Sequence, residues 1–266
     1  MLLNKCNFFS KVLASHVDVD ILLPSLSDND AYLAKSLTDV YRTKKYPVLY
    51  LLHGALDDHT MWLRHSLIEE YAEQAEIAVV MPSGQNMFYT NAKYGLNYFD
   101  FIAKELPLMV RTYFPISTER EHSFIAGPSM GGYGASKCAL RCPDQYAAFA
   151  DLSGAVDPVE LKPLMESMGF DFFRYDLIWG NVENEKGSDD DVYKLADDLA
   201  GKPDKPKAYI YCGEDDPNNY EMNYRFYQRL TEDGFTASFQ GGPGVHDFRY
   251  WDRCISDFIK KIIPIS

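Results

Sequence analysis

The chain has 266 residues, of which 46% are hydrophobic and 14% aromatic, and its formal net charge is −13. That apolar content is enough for the core of one large domain covering residues 1–266. The negative charge argues against nucleic acids and anionic membranes as partners, because both would repel the protein. No stretch of 18 or more apolar residues is present, which excludes a membrane-spanning helix.

The N-terminus and the cysteines favour a cytoplasmic protein. Residues 1–10 contain polar side chains where a signal peptide needs a longer apolar run, and no small-residue cleavage site follows them. The five cysteines include no C-x-x-C spacing. Cys138 and Cys142 lie four residues apart on a predicted helix, an arrangement that suits two buried thiols better than a disulfide or a metal site.

Short apolar runs along the chain predict β-strands. Residues 16–23 alternate apolar and polar side chains, as a half-buried strand does, and the polar residues 28–45 are interpreted as a hairpin loop. Residues 46–52 are continuously apolar, as expected of a strand covered on both faces. The other predicted strands are 77–81, 122–126, 146–152, 207–212 and 235–240.

Helices are predicted between these strands by the spacing of their apolar residues. The predicted helices are 62–75, 98–114, 132–140, 220–233 and 248–263. Buried strands alternating with helices indicate an α/β fold with a mostly parallel, doubly wound sheet and helices on both faces. In such a sheet the ligand binds beyond the carboxyl ends of the strands.

Residues 154–205 separate two predicted strands and are too long for a simple crossover. We interpret them as a small cap-like insertion over the active site, carrying one or two short helices. The acidic run at 188–191 predicts a solvated helix N-terminus, where carboxylates suit the helix dipole. A metal site there is the weaker alternative, because adjacent carboxylates do not make a coordination pattern.

Residues 127–131 read Gly-Pro-Ser-Met-Gly, which is a G-x-S-x-G pentapeptide. A predicted strand precedes it and a helix rich in small residues follows it. A strand, a sharp turn and a helix would place Ser129 Oγ at the tip of the sheet, ready to act as a nucleophile. A chance match in a glycine-containing loop is the alternative, and the flanking elements argue against it.

A serine nucleophile needs a base and a carboxylate, and both follow in the expected chain order. His246 lies in a glycine-rich loop between the last predicted strand and the last helix, so it is the predicted base. A solvent-facing loop histidine is the alternative. Glu214, Asp215 and Asp216 all leave the sheet after residue 212; Asp216 is preferred, but sequence reasoning alone leaves Asp215 open.

Two backbone N–H groups are expected to stabilise the oxyanion of a tetrahedral intermediate. One should belong to Met130, the residue after the nucleophile. The other should follow the strand 46–52, with Ala55 assigned and Leu56 as the alternative. His53 is interpreted as a residue that braces this loop.

Two further sets of residues near these loops are candidates for binding roles. Trp62 and Trp179 could line an acyl or alcohol pocket, or simply pack in the core. His53, Asp57, Asp58 and His59 are conceivable ligands of a metal cluster. Because their spacing matches no strong metal motif, no metal site is predicted.

Five segments taken together resemble the esterase D family. They are Leu-Leu-His-Gly (51–54) with a Trp eight residues after the Gly, 97–107, 124–134, Tyr-Cys-Gly-Glu-x-Asp (211–216) and His-x-Phe-x-Tyr-Trp (246–251). Within that family the chain is most similar to bacterial tributyrin esterases, and less similar to S-formylglutathione hydrolases and feruloyl esterases. The resemblance covers nearly the whole chain and is weakest in the middle insertion.

The resemblance implies an α/β-hydrolase fold with Ser129 as nucleophile, His246 as base and Asp216 as the acid. It also implies hydrolysis of short-chain carboxylic esters, no cofactor and frequent homo-oligomers. The chain departs from the family pattern at Pro128, which precedes the serine, and at Pro217, which follows Asp216. Both departures leave the pocket shape and the substrate open.

Several other functions remain compatible with this sequence. The same chemistry in a different pocket would deacylate a sugar ester, a hydroxycinnamate ester or S-formylglutathione. Acyl transfer to an acceptor alcohol is a further enzymatic alternative. A catalytically silent binding homologue is the alternative from another class, and the intact Ser, His and Asp argue against it.

Overall fold

One mixed sheet organises the fold of this computed structural model, which describes residues 1–40, 44–170 and 172–263. The strands formed by these residues are β1 (Leu2–Ser10), β2 (Ser15–Leu23), β3 (Val48–Leu51), β4 (Ala78–Pro82), β5 (Ser123–Pro128), β6 (Ala148–Leu152), β7 (Lys207–Tyr211) and β8 (Ala237–Gln240). Their order in the sheet is β1-β2-β4-β3-β5-β6-β7-β8. The pairs β1–β2 and β2–β4 are antiparallel, whereas the six strands β3 to β8 pair in parallel in the order β4-β3-β5-β6-β7-β8.

Helices cover both faces of the sheet, which confirms the predicted doubly wound α/β architecture. The helices of the described residues are α1 (Asp28–Leu33), α2 (Leu37–Val40), α3 (Met61–His65), α4 (Ile68–Gln74), α5 (Tyr98–Asp100), α6 (Leu106–Tyr113), α7 (Met130–Arg141), α8 (Pro158–Ser167), α9 (Tyr175–Trp179), α10 (Val192–Leu199), α11 (Tyr220–Glu232) and α12 (Phe248–Ile262). None of these helices is long and apolar enough to cross a membrane.

The sheet separates two hydrophobic clusters. Along β3, Val48 and Tyr50 face one cluster, while Leu49 and Leu51 face the other. This follows from the two-residue period of a strand, which sends successive side chains to opposite faces. Because both faces are buried, the central strands need continuous apolar runs, as predicted for residues 46–52.

Two predictions near the N-terminus were incomplete or wrong. β1 was not predicted, although it pairs with β2 along its whole length. The predicted hairpin loop at 28–45 instead contains α1 and α2, and its residues 41–43 lie outside the described part of the chain. Ser27 Oγ accepts a hydrogen bond from the Asp30 N–H and so caps α1, whose polar residues are all at least partly exposed.

Two predicted helices are interrupted. The helix expected at 62–75 divides into α3 and α4, because Ser66 adopts an extended backbone and its hydroxyl donates to the Trp62 carbonyl at 2.6 Å. The helix expected at 98–114 consists of α5, a π-helical turn (Phe101–Glu105) and α6. Pro107 stands at the start of α6 and has no N–H to continue a regular α-helical ladder.

The segment 154–205 contains more structure than the one or two helices expected of it. It holds α8, α9, a 3₁₀ turn (Val182–Glu185) and α10. Asp191 caps α10 by accepting from the N–H groups of Tyr193 and Lys194, so the acidic run does begin a helix.

The acidic run is not solvated along its whole length, because Asp190 turns inward. Its carboxylate accepts from the buried ammonium of Lys137 on α7 at 3.2 Å and from Trp179 Nε1 at 3.0 Å. The Tyr133 hydroxyl also donates to the Asp190 backbone carbonyl at 2.8 Å. Burial lowers the pKa of Lys137, and the neighbouring Asp190 opposes that shift. This network ties the segment 154–205 to the helix that follows Ser129.

Candidate active site

Ser129 occupies a sharp turn between β5 and α7, as the motif predicted. Its backbone has φ 54° and ψ −120°, a strained conformation for a residue with a side chain. The turn is held by hydrogen bonds from the Ser129 N–H to the Leu152 carbonyl at 2.9 Å and from the Ala155 N–H to the Ser129 carbonyl at 3.1 Å. The surrounding structure therefore fixes a partly exposed serine at the carboxyl end of a central strand.

The turn needs glycine at both motif positions, because neighbouring backbone atoms leave no room for a Cβ there. A Cβ on Gly127 would lie 2.7 Å from the Gly131 carbonyl oxygen. A Cβ on Gly131 would lie 2.7 Å from the His53 carbonyl oxygen on the loop after β3. Any larger residue would push the helix away from the strand or from that loop.

His246 and Asp216 meet in the loops that follow β8 and β7. The distance between His246 Nδ1 and Asp216 Oδ2 is 2.7 Å, and the Asp216 side chain is 2% exposed. A carboxylate at Nδ1 orients the imidazole and leaves Nε2 as the ring nitrogen available to a serine hydroxyl. Ser129 and His246 line the same cavity.

Asp216, rather than Asp215, contacts the histidine. Glu214 and Asp215 are exposed, and they use backbone N–H groups to hold the loop after β8 through the carbonyls of Gly242 and Gly244. Asp216 differs from Asp215 in that its side chain is buried and turned toward His246, whereas that of Asp215 is exposed.

Asn219 is a polar neighbour of this pair that sequence reasoning missed. Its Nδ2 donates to Asp216 Oδ1 at 3.0 Å and Oδ2 at 3.2 Å, and it lies 3.2 Å from His246 Nδ1. Burial alone would raise the pKa of Asp216, but the hydrogen bonds from His246 and Asn219 outweigh it and lower that pKa. In the sequence, Asn219 could have been recognised as a candidate because it stands at the start of α11, three residues after Asp216.

The loop after β3 contributes Gly54, Ala55, Leu56 and Asp57 to the same cavity. The Leu56 N–H is already used, since it donates to Asn86 Oδ1 at 2.7 Å. Ala55 therefore fits the second oxyanion N–H better than the alternative Leu56. Met130, the other predicted donor, is the first residue of α7, where backbone N–H groups have no partner within the helix.

His53 braces this loop, as the sequence analysis interpreted it. Its Nε2 accepts from the Gly84 N–H at 2.7 Å, which requires the proton on Nδ1, and Nδ1 lies 2.6 Å from the Gly54 carbonyl. Burial lowers the pKa of His53, although the Gly54 carbonyl acts in the opposite direction. A neutral, doubly hydrogen-bonded imidazole is suited to holding the loop rather than to moving protons.

The cavity beside Ser129 has a volume of about 370 Å³. Residues of the 154–205 segment form one wall, and Phe248 and Trp251 contribute from α12. Trp62 and Trp179 do not line it. Trp62 is buried and its Nε1 donates to the Leu52 carbonyl at 2.8 Å, while Trp179 donates to Asp190.

Within residues 1–40, 44–170 and 172–263, no three His, Cys, Asp or Glu side chains converge in a way that could hold a metal ion. Of the four residues weighed for a metal cluster, His53 is committed to backbone groups, Asp57 pairs with Arg64, and Asp58 accepts from Thr60. The ring of His59 lies 2.9 Å from Ser83 Oγ.

Comparison with known proteins now identifies the family. The model of the family described as "Putative esterase" matches residues 11–262. The chain belongs to this esterase family. An acetyl esterase from Caldicellulosiruptor saccharolyticus is 29% identical over 271 residues, covering 100% of both chains.

Solved structures agree with this assignment. The substrate-bound Staphylococcus aureus fluorophosphonate-binding serine hydrolase F is 33% identical, with a TM-score of 0.86 and 98% of each chain covered. The apo S-formylglutathione hydrolase FrmB from the same organism is also 33% identical, with a TM-score of 0.83 and the same coverage. This esterase is therefore a carboxylic ester hydrolase with an α/β-hydrolase fold, as predicted.

We expect Asn219→Ala to lower the esterase kcat by about tenfold or more with little change in KM, because hydrogen bonds to charged groups contribute about 1.5–3 kcal/mol. Since Asn219 helps to lower the pKa of Asp216, its loss should raise that pKa. A carboxylate that has lost this donor should hold a protonated imidazole more tightly, so the acidic limb of the kcat/KM profile should move to higher pH. Asn218→Ala, a neighbour lining the same cavity, is the control; matching pH profiles for the two variants would disprove a positioning role for Asn219.

Proposed function

We propose that this esterase hydrolyses short-chain acyl esters through a Ser129–His246–Asp216 triad and an acyl-enzyme intermediate. The observation that carries the proposal is the 2.7 Å contact of His246 Nδ1 with buried Asp216, at a cavity shared with Ser129 on its strained turn. The order Ser, Asp, His along the chain supports the same assignment.

In this mechanism His246 Nε2 takes the proton of Ser129 as Oγ attacks the ester carbonyl carbon. The Met130 and Ala55 N–H groups stabilise the oxyanion. Collapse of the tetrahedral intermediate expels the alcohol, which receives the proton from His246. A water molecule, deprotonated by the same imidazole, then attacks the acyl-enzyme and releases the acid and free Ser129.

We also propose how the chain is organised, where it works and which partners it has. Residues 1–266 act as one α/β-hydrolase domain, and 154–205 serves as a cap whose aromatic and methionine side chains close the cavity. The acidic protein works in the cytoplasm, without nucleic-acid or membrane partners, and can form homo-oligomers. Within its family it groups with the tributyrin esterases of the esterase D type.

Acyl chains from acetyl to butyryl should be preferred over long ones. Each methylene that fits gains up to about 0.8 kcal/mol by burial, but the cavity of about 370 Å³ has to hold the alcohol group as well as the acyl chain. Values of kcat/KM for nitrophenyl esters from acetate to laurate, below their aggregation limits, should rise briefly and then fall. A maximum at octanoate or longer would contradict the short-chain proposal.

A substrate panel tests the proposed activity against its alternatives. It contains nitrophenyl acetate and butyrate, methyl ferulate, a sugar acetate and S-formylglutathione, each measured beside Ser129→Ala. Product analysis with glycerol or sugar acceptors separates hydrolysis from acyl transfer. Fast turnover of nitrophenyl butyrate supports the proposal, whereas no turnover of any ester would favour a silent binding homologue.

A further inference from the structure

We infer that the cavity beside Ser129 selects uncharged esters, and that Asp57 is the residue that disfavours substrates carrying a carboxylate near the reacting carbonyl. The inference rests on the proposed function, because it concerns the same cavity. It names the substrate class: esters whose acyl and alcohol groups are both neutral.

The described residues of the cap give this cavity an apolar wall. The described cap residues that line it are Ala155, Leu161, Met165, Met168, Phe170, Phe172 and Phe173. A carboxylate placed against such a wall loses its water without gaining a hydrogen-bond donor, which is costly. A neutral acyl or alcohol group gains free energy there by burying apolar surface.

Among the described residues that line the cavity, no Lys or Arg offers a positive charge to an anionic substrate. The ionisable side chains there are Asp57, Asp216 and His246, and the last two are occupied with each other. Asp57 forms an ion pair with Arg64, which is not part of the lining. A substrate carboxylate in the cavity would therefore face the Asp57 carboxylate and no Lys or Arg side chain of the described lining.

The cations beside the cap wall are also paired with carboxylates. Lys162 Nζ lies 2.6 Å from Glu166 on α8, and Arg225 pairs with Glu160 of the same helix. The formal net charge of −13 makes the protein as a whole repel anions. A leaving group with free carboxylates, such as glutathione, should consequently be a poor one for this enzyme.

The test compares two esters that differ in charge but hardly in shape, 4-carbamoylphenyl butyrate and 4-carboxyphenyl butyrate. We expect the wild-type kcat/KM to favour the carbamoyl ester by about thirtyfold or more, because like charges held close together without compensation are strongly disfavoured. Asp57→Asn removes the carboxylate and releases Arg64, so this preference should shrink by about threefold or more.

Glu166→Gln is the matched control, because it makes the same charge change on the cap at a residue outside the cavity lining. It should leave the preference within about twofold of wild type, since exposed charges interact weakly. Added salt should reduce the wild-type preference more than that of Asp57→Asn.

The outcomes separate this inference from the proposed function. Equal hydrolysis of both butyrates by the wild type would overturn charge selection while leaving the esterase assignment intact. An unchanged preference in Asp57→Asn would overturn the role of Asp57. Failure to hydrolyse either ester, together with nitrophenyl butyrate, would count against the proposed function itself.

Discussion

Replacing Ser129 with alanine should lower kcat for ester hydrolysis by about a millionfold, because members of a catalytic triad act as a unit. Only Oγ is lost, and the backbone contacts of residue 129 to Leu152 and Ala155 remain. The variant should therefore keep the far-UV circular dichroism and melting temperature of the wild type. The measurement is kcat for nitrophenyl butyrate, with background hydrolysis subtracted.

Ser153 offers a matched control for this substitution. It also has φ 54°, is buried, and lies just beyond the end of β6, but it is not part of the cavity lining. Its hydroxyl accepts from Trp251 Nε1 at 3.2 Å. Ser153→Ala should stay within about tenfold of wild type, since it loses only neutral hydrogen bonds. Comparable losses in the two variants would remove Ser129 from the nucleophile role.

Asp216→Asn should lower kcat by about 10⁴-fold, because the amide favours the wrong tautomer of the imidazole. Asp216 contacts His246 Nδ1 at 2.7 Å, whereas Asp215 is exposed and contributes a backbone N–H to the Gly244 carbonyl. Asp215→Asn keeps that N–H and should change kcat by less than about threefold, in line with the small effects of exposed charges.

Steady-state kinetics on the two purified variants decide between the aspartates. Both substitutions remove one negative charge, so a general effect of net charge would appear equally in each. A larger loss in Asp215→Asn would require reassignment of the acid and a different arrangement of the loop after β7.

The sequence predicted the central sheet well because its strands are buried on both faces. Runs such as residues 46–52 have to be apolar throughout, and this pattern is easily recognised. The edge strand β1 was missed because it alternates exposed and partly buried residues and includes polar side chains such as Lys5. The helices α1 and α2 were missed because no apolar periodicity marks helices without buried residues.

In the candidate site, the local motif and its flanks were enough to place Ser129 on the turn after β5. The choice of Asp216 over Asp215 depended on which carboxylate turns inward, which adjacent positions in a sequence do not encode. Trp62 and Trp179 lie close to site loops in the chain but point into the core, where Leu52 and Asp190 accept their indole protons. Asn219 was missed because its role appears only when α11 is placed beside Asp216.

Labelling with a fluorophosphonate, followed by peptide mapping by mass spectrometry, tests the central claim most directly. The reagent phosphonylates a serine hydroxyl that is activated by a neighbouring base. We predict one adduct per chain, located on Ser129, with esterase activity falling in proportion to labelling and no adduct in Ser129→Ala. An adduct on another residue, or full ester hydrolysis by fully labelled protein, would contradict the assignment of Ser129 as the nucleophile.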